Sequence, residues 1–348
     1  MTHILLAGDH FDTTASFRTA LDSVLSEPAT YTEWTGPWPL EPFGDIGGVH
    51  EASGSVEVLI EHLQGAQVAV TQMAPFTREV FLASPELRLV GVCRGGPVNV
   101  DLDAATEAGV LVTFAPGRNA QAAAEFTVGL ILAVSRRIAE SDQDLRNGIW
   151  RGDNYTLERV GIELEGAVVG LVGYGAIGRL VARILHGFGS TVVAYDPYAD
   201  GAALAADGVR RVELDELLAI SDVVSLHARY TPDTHHLMDE AALRRMKRGA
   251  VLVNAARGGL LDYGPLPALL EQGLLGGVAV DVYDIEPPPI DHPLLHAPNV
   301  VLSPHLAGAT RQTADRAASI VARDVAAFLA GREPAHVANR AVLPVVTS

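Results

Sequence analysis

The sequence predicts an α/β protein with two domains, each built on a parallel β-sheet, and two observations carry this prediction. Short apolar runs such as Val68–Thr71, Val168–Val172 and Val251–Asn254 alternate with alanine-rich helical stretches such as Ala122–Ala139. This alternation is typical of parallel sheets that are covered by helices on both faces. The chain also has 348 residues, which is more than a single hydrophobic core usually holds.

The other candidate strands are short apolar runs, most of them rich in β-branched residues, and helix-like segments separate several of them. These strands are Ile4–Ala7, Leu89–Val92, Thr191–Tyr195, Val223–Leu226, Val278–Val280 and Val300–Leu302. Helical periodicity is clearest in Ile177–Phe188 and Asp239–Met246. Two α/β blocks therefore follow one another along the chain.

Composition excludes several classes of protein. There are 25 basic and 42 acidic residues, a formal net charge of -17, so no basic footprint for nucleic acid or for an anionic membrane is present. No apolar run is long enough to span a bilayer, and the first residues lack the basic leader of a signal peptide. Cys93 is the single cysteine and cannot form an internal disulfide. We predict a cytoplasmic protein.

Residues Glu27–Ser55 break the alternating pattern and are rich in proline and glycine. The prediction for this segment is a long surface loop packed on its own aromatic residues Trp34, Trp38 and Phe43. A lid near the active site is the alternative.

The strongest local motif is a glycine-rich turn between a strand and a helix. Val168–Val172 leads into Gly173-x-Gly175-x-x-Gly178, and a second strand ends at Asp196. Such glycines permit a tight turn, close approach of a pyrophosphate and close helix packing, and the helix start presents free N–H groups. An acidic residue at the position of Asp196 accepts hydrogen bonds from ribose hydroxyls and repels a 2′-phosphate, so NAD is predicted rather than NADP. The alternative is a glycine-rich turn without a ligand.

Three polar residues follow predicted strands at the sheet edge where ligands bind. They are Arg257, Glu286 and His305. A histidine can exchange a proton near neutral pH, a neighbouring carboxylate favours its charged form, and an arginine can fork onto a substrate carboxylate. Taken singly, each has a plain structural explanation, as a surface ion pair, a loop charge or a helix-entry residue.

Together with the glycine-rich turn, the segments Asn254–Gly259, Asp281–Pro287 and Ser303–Thr310 resemble the D-2-hydroxyacid dehydrogenase family, which includes the D-3-phosphoglycerate dehydrogenases. The resemblance runs from about residue 71 to about residue 329. It implies that Arg257 binds and orients the substrate, that His305 is the acid/base and that Glu286 supports His305. The implied chemistry is hydride transfer between NAD and a D-2-hydroxy or 2-keto acid.

The resemblance also implies the domain organisation and the cofactor contacts. A discontinuous, flavodoxin-like substrate domain would comprise residues 1–118 and 309–341, and a Rossmann-like NAD domain residues 119–308. A homodimer is implied, with Gly148–Leu164 as the dimer arm, and no C-terminal regulatory domain is expected. The implied cofactor-binding residues are Gly173, Gly175, Ala176, Ile177, Gly178, Asp196, Ala228, Ala255, Asp281 and Gly308.

The loop from Cys93 to Asp101 resembles the family's substrate loop. Backbone N–H groups of Gly95 and Gly96 are predicted to form an anion-binding nest, and Arg94 either adds charge or faces solvent. The loop departs from the commoner family form at Pro97 and Val98, so the substrate is left open among phosphoglycerate, glyoxylate, hydroxypyruvate and sugar-derived acids.

Arg229 stands where most relatives carry proline, and it faces either solvent or a ligand. His227, His235 and His236 lie without a carboxylate cluster, so no metal site is predicted. An NAD-sensing, corepressor-like binding protein is the alternative function, and formate dehydrogenase, which pairs its histidine with glutamine, is disfavoured by Glu286.

Overall fold

A computed structural model describes residues 1–343, and these divide into two compact units. One unit contains Met1–Asn119 and the chain from Ala309 onward, and the other contains Ala120–Gly308. Both are α/β units whose large sheets are parallel, as the sequence predicts, so the predicted fold class is confirmed. None of the helices in the described residues is long and apolar enough to cross a membrane.

The first unit contains a five-stranded parallel sheet in the order β2-β1-β5-β6-β7. Its strands, with a separate hairpin formed by β3 and β4, are β1 (His3–Gly8), β2 (Thr30–Thr35), β3 (Gly44–Ile46), β4 (Val49–Ala52), β5 (Val68–Thr71), β6 (Leu89–Val92) and β7 (Leu111–Phe114). Its helices are α1 (Thr14–Asp22), α2 (Val56–His62), α3 (Arg78–Ala83), α4 (Leu102–Glu107) and α12 (Arg311–Leu329).

Apolar side chains cover both faces of this sheet. Phe17 of α1 and Val321 of α12 belong to one buried cluster, and Leu59 of α2 and Phe81 of α3 belong to the other. The last long helix therefore completes the unit that the first residues begin.

The prediction of an irregular loop over Glu27–Ser55 is wrong in part. Residues Thr30–Thr35 form β2, an edge strand that pairs with β1, and β3 and β4 form an antiparallel hairpin. The threonines and aromatics of β2 are typical of strands, but as an exposed edge strand β2 lacks the continuous apolar run that marks a central strand. Nor do the aromatics pack only on one another, because Trp38 contacts Phe11 and Trp34 contacts His62.

The second unit contains a seven-stranded sheet in the order β10-β9-β8-β11-β12-β13-β14, with every pair parallel. Its strands are β8 (Val168–Val172), β9 (Thr191–Tyr195), β10 (Arg210–Arg211), β11 (Val223–Leu226), β12 (Ala250–Asn254), β13 (Leu275–Val280) and β14 (Val300–Leu302). Its helices are α5 (Ala120–Ser135), α6 (Ile138–Arg146), α7 (Ala176–Gly187), α8 (Gly201–Ala206), α9 (Leu214–Ile220), α10 (Glu240–Arg245) and α11 (Leu266–Glu271).

The first strand of this unit, β8, lies in the interior of the sheet and pairs with both β9 and β11. The strand order therefore reverses beside β8, and open α/β sheets bind ligands at the carboxyl ends of the strands at such a reversal. The glycine-rich turn follows β8 directly.

Candidate active site

The turn after β8 has the geometry that a dinucleotide needs. Gly173 has a φ of 100°, and a Cβ atom there would lie 2.5 Å from the backbone nitrogen of Ala228. A Cβ atom on Gly178 would lie 2.6 Å from the Gly173 carbonyl oxygen, whereas the space beside Gly175 is open. Gly175 is the N-cap residue of α7 and makes no side-chain cap, so the helix start can present N–H groups to a phosphate. These residues fit the pyrophosphate of NAD.

Asp196 lies beside this turn and is partly committed to the backbone. Its Oδ2 accepts from the Tyr174 N–H at 2.8 Å, and its Oδ1 accepts from the N–H groups of Tyr198 and Ala199 at 2.9 and 3.1 Å. A carboxylate has about four acceptor sites, so room remains for a ribose hydroxyl. Three N–H donors also offset part of the charge that would repel a 2′-phosphate, so the preference for NAD over NADP stays a prediction.

Other predicted cofactor residues lie at the same carboxyl edge. Ala228 follows β11, Ala255 follows β12, and Gly308 lies beyond β14. Each is partly exposed. At the start of α7, Ile177 is also partly exposed and Ala176 is exposed. The structure thus gathers them at one edge of the sheet, and their contact with NAD remains a prediction.

His305 and Glu286 form a direct pair, with 2.8 Å between His305 Nδ1 and Glu286 Oε2. Glu286 Oε1 accepts from the Tyr283 N–H at 3.0 Å, which fixes the carboxylate. The hydrogen bond that His305 donates to Glu286 raises the pKa of His305 above its usual value, against burial and the charge of Arg257. Burial raises the pKa of Glu286, but the hydrogen bond and charge of His305 outweigh it and the pKa lies below the usual value.

This pair leaves the second ring nitrogen of His305 available. Among the described residues, Nε2 has no hydrogen-bond partner, and the side chain is 36% exposed. With Nδ1 held by a carboxylate, Nε2 is the atom that can donate or accept a proton. His305 adopts a left-handed backbone conformation with a φ of 56°, which is uncommon for a residue with a side chain.

The buried carboxylate of Asp281 holds the loop that carries His305. Its Oδ1 accepts from the Ser303 hydroxyl at 2.6 Å and from the Leu306 N–H at 2.8 Å, and its Oδ2 accepts from the Ala307 N–H at 2.8 Å. Asp281 has no exposed surface. The described contacts therefore give Asp281 a positioning role toward His305, while its predicted contact with the cofactor stays a prediction.

Arg257 lies in a turn that is packed against the loop of Glu286. A Cβ atom on Gly258 would lie 1.8 Å from the Tyr283 carbonyl oxygen, so only glycine allows the two loops to approach this closely. The Arg257 side chain is exposed and donates to the Ala256 carbonyl at 2.7 Å, and its charge acts on both His305 and Glu286. The structure thus brings the three predicted catalytic residues together.

The predicted substrate loop agrees with expectation only in part. Gly95 and Gly96 lack left-handed φ angles and the space beside both glycines is open, so anion binding by their N–H groups stays a prediction. The solvent-facing alternative for Arg94 is wrong, because its side chain is only 15% exposed and pairs with Glu51. Loop geometry and the partner of Arg94 depend on segments distant in sequence, which spacing alone does not encode.

The remaining candidates have simpler surroundings. Burial lowers the pKa of His227 to about 4, and its ring nitrogen lies 3.0 Å from the Ser225 hydroxyl. His235 stacks on His236, and Arg229 is exposed. Within residues 1–343, no group of three or more histidine, cysteine or acidic side chains could hold a metal ion.

Sequence reasoning missed two residues that shape the site. Asn254 is fully buried, donates to the Arg257 carbonyl at 3.0 Å and accepts from the Ala256 N–H at 3.1 Å, so it fixes the turn that carries Arg257. A polar residue closing an apolar strand was the available signal. The other is Glu51, for which the sequence offers no signal because its partner lies 43 residues away.

Comparison with known proteins identifies the family. Residues 128–307 match the sequence model described as "D-isomer specific 2-hydroxyacid dehydrogenase, NAD binding domain", which confirms the predicted cofactor. The glyoxylate reductase of Korarchaeum cryptofilum (strain OPF8) is 39% identical over 296 residues, covering 85% of this chain and 89% of the relative.

A second relative is longer than this chain. The D-3-phosphoglycerate dehydrogenase of Mycobacterium leprae (strain TN) is 44% identical over 253 residues, which are 73% of this chain and 47% of the relative. The chain therefore spans about half the length of that relative. Among solved structures, the apo-structure of D-lactate dehydrogenase from Escherichia coli superposes with a TM-score of 0.76 at 26% identity, covering 97% of this chain and all of the other. On this evidence, the chain belongs to the D-isomer specific 2-hydroxyacid dehydrogenase family and is an NAD-dependent oxidoreductase.

Proposed function

We propose that this chain reduces 2-keto acids to D-2-hydroxy acids with NADH, and that His305 exchanges the proton with the substrate oxygen. The observation that supports this role is the 2.8 Å contact between His305 Nδ1 and Glu286 Oε2, with Nε2 left unpaired among the described residues. NADH, when bound, supplies the hydride to the carbonyl carbon. The carbonyl electron pair moves to oxygen, and His305 Nε2 delivers the balancing proton.

Glu286 and Arg257 have opposite effects on this proton. Glu286 favours the charged imidazolium, which keeps a proton on His305 for reduction, while Arg257 opposes it. We propose that Arg257 binds the substrate carboxylate through its planar guanidinium. We also propose that the N–H groups of Gly95 and Gly96 bind a substrate anion. In the reverse direction, neutral His305 accepts the hydroxyl proton.

A keto-acid panel tests the proposal. NADH oxidation is followed at 340 nm with glyoxylate, hydroxypyruvate, pyruvate and longer 2-keto acids, and chiral chromatography identifies the product isomer. Turnover with a D product supports the proposal. NAD binding without turnover of any 2-keto acid contradicts it and favours the corepressor-like alternative.

Arg257→Ala tests whether Arg257 binds the substrate carboxylate, with Arg248→Ala as the matched control. Arg248 is also exposed and donates to the Gln272 carbonyl, in a contact that involves none of the catalytic residues. We expect Arg257→Ala to raise KM and lower kcat, because one group orients both ground state and transition state. Unchanged kinetics in Arg257→Ala would assign Arg257 to the surface.

We also propose a homodimer that pairs through Gly148–Leu164. Trp150, Tyr155 and Leu157 of this segment are 84%, 90% and 87% exposed, which is unusual for large apolar side chains that lie close together in sequence. Light scattering with Trp150→Ser and Leu157→Ser together should give a monomer. Tyr198→Ser, at a residue that is 93% exposed elsewhere in the unit, is the control and should remain a dimer. A monomeric unmodified chain would contradict the proposal.

We propose the cytoplasm as the location of this protein. The buried, unpaired Cys93 suits that reducing compartment.

A further inference from the structure

The charge of Arg94 is cancelled by a residue of the Glu27–Ser55 insertion. Arg94 forms an ion pair with the Glu51 carboxylate, and its guanidinium also donates to the Glu51 carbonyl oxygen at 3.0 Å. The side chains are 15% and 35% exposed, so water screens this pair less than a surface pair. Two groups of one residue therefore hold the guanidinium.

The backbone fixes Glu51 in this position. The N–H of His50 donates to the Val98 carbonyl in the substrate loop at 3.0 Å, and the N–H of Ser53 donates to the Met73 carbonyl at 2.9 Å. Glu51 lies between these anchors with a φ of 47°, a conformation that needs support from its surroundings. The backbone is thus attached to the substrate loop just before Glu51 and to the segment that follows β5 just after it.

The pairing leaves the substrate loop without an unneutralised positive charge. Arg94 is the one charged residue between Cys93 and Val100, and Asp101, at the end of the loop, is acidic. Nearby, Arg118 is paired with the buried Asp12 at 3.4 Å, and the charges of both act on Cys93, the neighbour of Arg94. The loop can therefore offer N–H donors to one carboxylate, but it has no unneutralised cation for a second anionic group.

We propose that Glu51 neutralises Arg94 and thereby selects 2-keto acids whose only anionic group is the carboxylate over those that also carry a phosphate. This inference rests on the proposed function. A second anionic group would meet an ion pair instead of a free guanidinium, in a protein with a net charge of -17. It also assigns a role to the insertion, which is to deliver Glu51 to the loop.

Two substrates that differ by one phosphate test the selectivity. These are 3-hydroxypyruvate and its phosphate ester, assayed with NADH and the full chain. We expect the unmodified enzyme to have a kcat/KM at least about tenfold higher for hydroxypyruvate, equivalent to about 1.4 kcal/mol. Preference for the ester would overturn the inference while leaving the proposed reaction intact.

Glu51→Gln removes the charge of the pair and keeps its shape. We expect the selectivity ratio to move toward the ester by at least about tenfold, mainly through a lower KM for the ester. Glu33→Gln is the matched control, because it removes the same charge from the ion pair that Glu33 of strand β2 forms with Arg18 of helix α1, and its ratio should not change. An unchanged ratio in folded Glu51→Gln would overturn the inference.

The double variant Glu51→Gln with Arg94→Gln tests whether the positive charge of Arg94 causes the change seen in Glu51→Gln. Its ratio of kcat/KM values for the two substrates should return toward that of the unmodified enzyme. If Glu51→Gln does not fold, Arg94→Gln alone is decisive. It leaves Glu51 unpaired beside the loop, so the ratio should move further toward hydroxypyruvate, and an unchanged ratio overturns the inference.

If neither compound is reduced, the proposed function is wrong. Calorimetry on the NAD complex would then decide the selectivity, since tighter binding of the ester contradicts it.

Discussion

Replacing Asp281 with asparagine tests how the His305 loop is positioned. The buried carboxylate accepts from one hydroxyl and two backbone N–H groups, with Ser303 and Leu306 on one oxygen and Ala307 on the other. Asparagine keeps one acceptor oxygen and replaces the other with a donor. In its better orientation the oxygen keeps the contacts to Ser303 and Leu306, and the NH₂ group faces the Ala307 N–H.

The magnitude follows from that single lost contact. A buried N–H group left without an acceptor costs about 1–3 kcal/mol, and we expect the free energy of unfolding to fall by this amount. The loop should move to relieve the clash, and displacement of a catalytic group by about 1 Å can cost about 10²-fold in rate. The charge of Asp281 also raises the pKa of His305, so the pKa that governs reduction should fall in the variant.

Four measurements check this expectation: urea unfolding, kcat at saturating NADH, the pH–rate profile and the dissociation constant for NADH from fluorescence. Ser303→Ala is the control, because it removes one donor and leaves both backbone N–H groups paired with a carboxylate. It should lose less stability and little kcat. If Asp281→Asn instead weakened NADH binding while kcat and the pH profile stayed normal, the positioning argument would be refuted and Asp281 would be a cofactor contact.

Four further outcomes are expected. His305→Ala should lower kcat by about 10²–10⁴-fold with little change in NADH affinity, and near-normal turnover would remove His305 from the mechanism. The rate of reduction should decline as pH rises through the raised pKa of His305, and Glu286→Gln should shift that decline to lower pH. Identical pH–rate profiles would show that Glu286 does not raise the pKa of His305. Asp196→Ser should weaken NADH binding and reduce the difference between the affinities for NADH and NADPH. An unmodified chain that bound NADPH as well as NADH would contradict the predicted preference for NAD. Burial raises the pKa of Asp9 from 3.8 to about 6, so the free energy of unfolding falls as pH rises from about 4 to about 6. Asp9→Asn should raise the free energy of unfolding by up to about 3 kcal/mol at pH 7 and by little at pH 4, as urea titrations can measure.

The sequence predicted the central strands and the cofactor turn because their signals are local. A buried parallel strand such as β8 needs a continuous apolar run, and a turn that approaches both a phosphate and a neighbouring strand needs glycine at Gly173. Arg257, Glu286 and His305 were also identifiable, since each stands at a strand end within a short motif. The sequence does not reveal the edge strand β2, because a half-exposed strand with several polar residues resembles a polar loop.

Only the tertiary structure decided which charges meet. Arg94 was assigned to the substrate or to solvent on the basis of its own neighbours, but Glu51, 43 residues earlier, holds it. Asp281 likewise proved to hold the backbone of Leu306 and Ala307, 25 and 26 residues away. Periodicity and motifs report what a residue needs from its own segment, namely burial, a turn or a helix start. The partner of a polar side chain depends on how distant loops lie against one another, so the sequence determined the fold and the chemical groups, and the packing of loops determined which groups remain free to act.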